Sequence, residues 1–503
     1  MGFAVAVVAA GCAEVDLTTS ETFAVTGSLE WGAAPAGVPW VSAEVMDTTA
    51  VPPRSPADAE PEPEDAGMAF DPAMYLPMPL PHDPQREPRR AGRPASPAGM
   101  LATLDLRTGV ETLREVAAAT GSESAEAHTA EQLASGIALR QNQDGAGDSP
   151  DVGVENFGAL SLVGDATSGV YPRSVKVFFD KSGGSYVCSG SLIDAKHVIT
   201  AGHCVHEGDG GDWASNVRVV PSYDSGVEPY GRANGVQLHS WTGWTQDGDW
   251  DHDIGVIDLD RPIGALTGWN GYGYHEDCSY FKGGTWIHSG YPAESPYNGQ
   301  DMYTQSGDFD GCDIFLGIWT GNEVTFDRES FGGSSGTGAT RSGVVRAVLS
   351  NGNSSHTDDV RLTSDKFGHI GTMISEDSAT TYDLTPLNVV TAPSSAARGS
   401  YLSSMSYLVH NDSSASVNST YTVRVYLSTN QFISTGDTLL QTHSFSWNFA
   451  AKGSVRVNVS SPPRIPTTVS TGTYYVGVIV DVPDASSGNN NTEGWDSSRV
   501  VVY

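Results

Sequence analysis

Basic side chains are scarce in this 503-residue chain: 27 Lys and Arg stand against 60 Asp and Glu, a formal charge of -33. A field of that sign repels phosphate backbones and anionic membrane surfaces, so a nucleic-acid partner is not expected. Cysteine is sparse too, with five residues. No two of them have the close Cys-x-x-Cys spacing of a structural zinc site, and the acidic loops "EGDGGDW" and "DGDWDHD" read as solvated loops rather than calcium sites, so no metal is expected. The apolar N-terminal run "MGFAVAVVAAGC" is too short to cross a bilayer as a finished helix. The apolar fraction is only 39%, whereas 57 Gly, 28 Pro and abundant Ser and Thr favour strands, turns and loops. A mainly β protein follows, and at this length two or more folded units are expected.

Residues 1–12 read as an export signal, which would place the protein outside the cell or on its outer surface. Their tail "AAGC" resembles a bacterial lipobox, in which Cys12 would be lipidated and anchor the protein to a membrane; the other reading is an ordinary signal peptide with a chance cysteine. Residues 13–160 read as a Pro-rich spacer and pro-region. Between 50 and 99 lie 13 of the 28 prolines, and this stretch is expected to be disordered. Residues 101–140 carry apolar side chains near helical spacing, which predicts two short helices. From Val170 onward the pattern changes to short β-type runs such as "SVKVFF", "HVITAG" and "IGVIDL". It changes again near 380, to long Ser/Thr-rich alternating strands such as "YTVRVYL" and "YYVGVIVDV". The expected units are therefore 161–375 and 380–503.

The stretch "FGGSSGTG" at 331–338 places two serines among glycines. A nucleophilic serine needs an exposed hydroxyl on a tight turn, with backbone N–H groups aimed at the developing oxyanion. Read as Gly-x-Ser-Gly, the stretch makes Ser335 the nucleophile, with Gly333 and Ser335 N–H groups as the oxyanion hole. A flexible Gly/Ser loop is the other reading of the string taken alone. Serine also needs a histidine base and a carboxylate to orient it. In "CSGSLIDAKHVITAGHCV", His203 directly follows an apolar strand, while His197 belongs to that strand as a packing residue. In "DGDWDHDIGVIDLD", Asp253 alone stands immediately ahead of the apolar run. The chain order His203, Asp253, Ser335 is that of chymotrypsin-like enzymes.

With "TAGHC", "DIGVIDLDRPIG", "SGYP", "FGGSSGTG" and "AVLSNG" in this order, residues 165–372 resemble a trypsin-like serine peptidase of the secreted bacterial glutamyl endopeptidase type. The resemblance implies two six-stranded β-barrels with the triad in the cleft between them. It also implies an acyl-enzyme mechanism on protein or peptide substrates, without a cofactor. Ser334 stands where chymotrypsin has an aspartate that pairs with a freed N-terminus, so activation through that ion pair is excluded. The pocket residues implied are Glu329, Ser330, Leu349 and the backbone of Ser350, Asn351 and Gly352. Leu349 replaces a histidine that neutralises a glutamate substrate; leaving that carboxylate unpaired costs about 2 to 5 kcal/mol. Glu329 stands where trypsin selects basic residues. Both features leave the preferred residue open.

In many family members cysteines placed like Cys188 and Cys204 are bridged, and such a loop stabilises by roughly 3 kcal/mol. Cys278 and Cys312 remain as a second pair, with Cys12 left for a lipid. The last 120 residues resemble an immunoglobulin-like β-sandwich, the cell-adhesion-related bacterial domain, on the cues "YYVGVIVD" and the Asn-rich turn after it. That module is either a spacer or a binder of cell-surface or polymeric material. Two functions result: a secreted serine endopeptidase, or an inactive surface adhesin on a peptidase-like scaffold.

Overall fold

Alternation in "SVKVFF" sends Val175, Val177 and Phe179 to one face of strand Ser174–Lys181, where all three are fully buried, and Phe178 to the other. A computed structural model of the chain describes residues 72–79, 100–115 and 157–503, except 276, 316, 317, 353–355 and 483. The export signal with Cys12, and residues 116–156, lie outside the described residues.

Strand Ser174–Lys181 belongs to a closed barrel of six strands. The others are Gly184–Leu192, His197–Thr200, Ser215–Pro221, Ala233–Trp241 and Gly255–Leu259, and closure comes where Gly255–Leu259 pairs with Ala233–Trp241. Closure joins the two end strands, but Ala233–Trp241 pairs with Ser215–Pro221 only through Ala233 and Asn234, so its later half keeps an open edge. A second sheet curls around its own core of Phe157, Phe281, Trp286, Phe309 and Phe326. Its longer strands are Ile318–Phe326 and Val344–Gly352; among the described residues its two end strands do not pair, so it is a curled half-barrel rather than a second closed barrel. Phe157 is fully buried there, four residues ahead of the boundary expected at 161. Cys188 is bonded to Cys204, and Cys278 to Cys312.

After helix Ser364–Asp377 the chain forms two further sheets, of three and five strands, around a common core that includes Tyr407, Val423, Val425, Val476 and Val500. A two-sheet sandwich results. It is tied to the first barrel by a fork: Arg261 donates to both oxygens of Asp496, at 2.7 and 2.6 Å. Lys196 bridges Asp377 and Asp412, and Lys452 bridges Asp194 and Asp412.

Two expectations for the pro-region fail. Residues 100–115 form a β-hairpin, Met100–Asp105 and Val110–Glu115, not helix. The turn decides it: Asp105 Oδ1 accepts the N–H groups of Arg107 and Thr108, and Gly109 takes a φ of +68°. Met100–Asp105 then adds to the barrel sheet against Ala233–Trp241, a tertiary pairing that outweighs the local helical spacing. Likewise, Pro72–Pro79 is docked rather than free. Met74 and Leu76 stay exposed, so backbone bonds hold this segment where apolar burial does not.

Replacing Arg261 with Met strands a buried carboxylate between barrel and sandwich. We expect a loss of about 3 kcal/mol in stability, read by chemical denaturation. Burial holds His206 and His443 at pKa values of about 4, below the ordinary 6.5. The unfolded chain binds their protons first, so their contribution is intact above pH 6.5 and is lost as pH falls towards 4. Thermal melts should therefore fall across that window, and less steeply in a His443→Gln variant.

Candidate active site

Asp253 sits at the end of the short turn Trp250–His252, where the chain enters strand Gly255–Leu259, and is fully buried. Its carboxylate accepts three hydrogen bonds. Oδ1 takes the backbone N–H of His203 at 2.6 Å. Oδ2 lies 2.8 Å from His203 Nδ1 and 2.5 Å from the hydroxyl of Ser350, which donates to it. A carboxylate held this way fixes the plane of the ring and, with the proton on Nδ1, leaves Nε2 as a base.

His203 lies on the one-turn helix Gly202–Val205, and its carbonyl accepts from Lys181 Nζ at 2.6 Å. Desolvation pushes the Lys181 ammonium down to about 8. The ring is 97% buried, and Nε2 has no hydrogen-bond partner among the described residues.

Ser335 is likewise fully buried with its Oγ unpartnered, and its carbonyl accepts from Ser189 N–H at 2.8 Å. Ser335 Oγ and His203 Nε2 thus both lack a hydrogen-bond partner among the described residues, as do other buried polar atoms such as Thr245 Oγ1 and the Tyr291 hydroxyl. His203 and Ser335 flank the same disulfide: a ring nitrogen of His203 lies within 4.8 Å of the Cys188 and Cys204 sulfurs, and the Ser335 carbonyl lies 3.8 Å from Cys204 Sγ. Bridged cysteines offer no thiolate, so this cluster is not a metal site.

The glycines of "FGGSSGTG" are needed where they stand. Gly336 has a φ of +88°, and a Cβ there would run into Thr200 Oγ1 and the Ser189 carbonyl. The Ser189 hydroxyl accepts from Tyr291 N–H and donates to the Gly333 carbonyl, both at 2.9 Å, which pins the loop to the first barrel.

Residues 164–360 match the family model Trypsin. They are a trypsin-like serine peptidase domain. The chain is 27% identical over 215 residues to an extracellular metalloprotease of Bacillus subtilis, covering 41% of this chain and 65% of that one. It is 29% identical over 212 residues to a glutamyl endopeptidase of Bacillus licheniformis, covering 40% and 63%. The match thus spans just under two thirds of each curated relative. Among solved structures, the protease Anisep from Arthrobacter nicotinovorans is 27% identical over 40% of this chain and 93% of its own, with a TM-score of 0.36.

The peptidase domain treats the expected pocket residues unequally. Glu329 is exposed. Ser330 and Leu349 are buried and line a small cavity together with Ser334, Thr337 and His288. The Ser350 hydroxyl donates to Asp253, and the Asn351 side chain donates to the buried Glu323 at 2.9 Å. His288 escaped sequence reading; its Nε2 lies 2.8 Å from Asp359 Oδ2, a carboxyl that burial raises above the ordinary range. A histidine inside a strand gives no sign that it will face a buried acid brought from another strand.

Ser350→Ala removes one of the three bonds to Asp253. A hydrogen bond to a charged group is worth enough to lower kcat/KM on peptides about tenfold. Ser350→Thr, which keeps a hydroxyl, should lose less.

Proposed function

We propose that the chain is a secreted serine endopeptidase, working through an acyl-enzyme with Ser335 as nucleophile, His203 as general base and Asp253 as its orienting carboxylate. The observation that carries this reading is the buried Asp253–His203 pair, gathered with the Ser335 backbone around the Cys188–Cys204 disulfide. Attack of Ser335 Oγ on a substrate carbonyl passes its proton to His203 Nε2. The resulting imidazolium is stabilised by the carboxylate 2.8 Å from Nδ1. The carbonyl oxygen gains charge facing the N–H groups of Gly333 and Ser335, and the proton then goes to the leaving amine. Water repeats the sequence to release the acid.

Secretion fits the two disulfides and the extracellular label of the Bacillus subtilis relative. The C-terminal sandwich serves as an immunoglobulin-like accessory module, and its two-sheet core supports that reading. Neither side of the cleft favours a charged side chain ahead of the scissile bond. Glu329 is exposed, and Leu349 brings no charge to the cavity it lines.

The test is a mixed peptide library digested with purified protein, both intact and after limited proteolysis, and read by mass spectrometry. Ser335→Ala should abolish cleavage, and Asp253→Asn should lower the rate by about 10⁴-fold. No preference for cuts after Lys or Arg is expected. Cleavage that survives in Ser335→Ala would overturn the assignment, and absence of cleavage in the parent would leave an inactive binding scaffold.

A further inference from the structure

Residues 72–79, "PAMYLPMP", lie 252 or more residues ahead of the "FGGSSGTG" loop, yet they reach it. Leu76–Pro77 runs parallel to Tyr186–Val187, on strand Gly184–Leu192 just ahead of Cys188. Met78 N–H donates to the Val187 carbonyl at 3.1 Å. The Met78 carbonyl in turn accepts from Gly333 N–H, also at 3.1 Å. Pairing is reinforced upstream, where the Tyr75 ring meets Phe178 edge-on at 5.2 Å and its hydroxyl accepts from Arg218 at 3.1 Å.

The fit depends on the glycine pair. A Cβ at Gly332 would stand 2.8 Å from the Met78 carbonyl oxygen and 3.4 Å from Pro77 Cβ. Downstream, Met78 and Pro79 line the cleft that also contains His203, Lys181, Trp244 and Trp250. Ser335 is fully buried.

We propose that residues 72–79 are an autoinhibitory segment, seated in the substrate cleft of the uncut chain with the Met78 carbonyl on the Gly333 N–H. This rests on the reading of Ser335 as nucleophile and Gly333 N–H as oxyanion donor. A carbonyl on that donor stands where a substrate carbonyl would stand, so the segment and a substrate exclude each other. The bond after it runs to the ring nitrogen of Pro79, which carries a ring carbon where an ordinary peptide has a hydrogen. The backbone bonds are those of an added strand, a mode that needs little apolar burial. Tethering supplies the rest, because a segment of the same chain competes at a high local concentration.

Three chains are compared in full-length form: the parent, a deletion of residues 72–79, and a Tyr75→Ala, Met78→Pro double variant. The double variant removes the ring contact and the Met78 N–H and keeps the chain length. Each is treated with diisopropyl fluorophosphate, and the rate of phosphorylation at Ser335 is followed by mass spectrometry. Both variants should react faster than the parent by about tenfold or more, the advantage expected on losing a tethered competitor. A synthetic peptide of residues 72–79 should slow the deletion variant again. Equal or slower labelling in both variants overturns the inference while leaving Ser335 as nucleophile. Absence of label at Ser335 in all three chains, together with absence of peptide hydrolysis, overturns the nucleophile assignment, and the inference falls with it.

Discussion

The buried carboxylate of Asp253 is the group on which the rest of the site depends. A charge taken out of water is costly unless every lone pair is used. Here a backbone N–H, an imidazole nitrogen and a hydroxyl each take a share, and they come from the Gly202–Val205 turn and from strand Val344–Gly352. The first two belong to the first barrel's side of the cleft and the third to the second sheet. One side chain therefore joins both halves of the peptidase domain, and its satisfaction requires that the two halves be docked. It holds His203 by Nδ1, and the other ring nitrogen has no partner among the described residues.

Around that group the fold supplies rigidity from several directions. The Cys188–Cys204 bond joins strand Gly184–Leu192 to the turn that carries His203. The same strand binds the nucleophile loop through Ser189 and receives the Leu76–Met78 segment two residues earlier. Strand Gly184–Leu192 thus connects the turn carrying His203, the "FGGSSGTG" loop and residues 76–78. The sandwich acts at a distance from this centre. Its Arg261–Asp496 fork and lysine bridges fix it to the outer side of the first barrel, where buried opposite charges compensate one another.

Much of this could be read from residues alone. Period-two alternation in "SVKVFF" and "IGVIDL" reports strands because each side chain meets a core face, and "TAGHC" and "FGGSSGTG" report the site because their small residues are sterically required. The pairing of Asp253 with His203 was legible as a juxtaposition of strand ends. What sequence did not reveal depends on distant partners. Residues 100–115 carry helical spacing and become a hairpin because strand Ala233–Trp241 offers an open edge. Ser350 enters the sequence reading through its backbone alone, and only the fold aims its hydroxyl at Asp253. The proline-rich stretch around 72–79 has too little apolar area to announce a docked segment, since besides the Tyr75 contacts it is held by backbone N–H and carbonyl groups that every residue shares.

If covalent chemistry passes through Ser335, an acyl-enzyme forms there and can be trapped. The protein would be mixed with an activated ester, quenched in acid within the first turnover and mapped by mass spectrometry. The account predicts one acyl group, on Ser335, that fails to accumulate when Ser335 is replaced by Ala. An acyl group on another residue, or peptide cleavage with Ser335 absent, would contradict it.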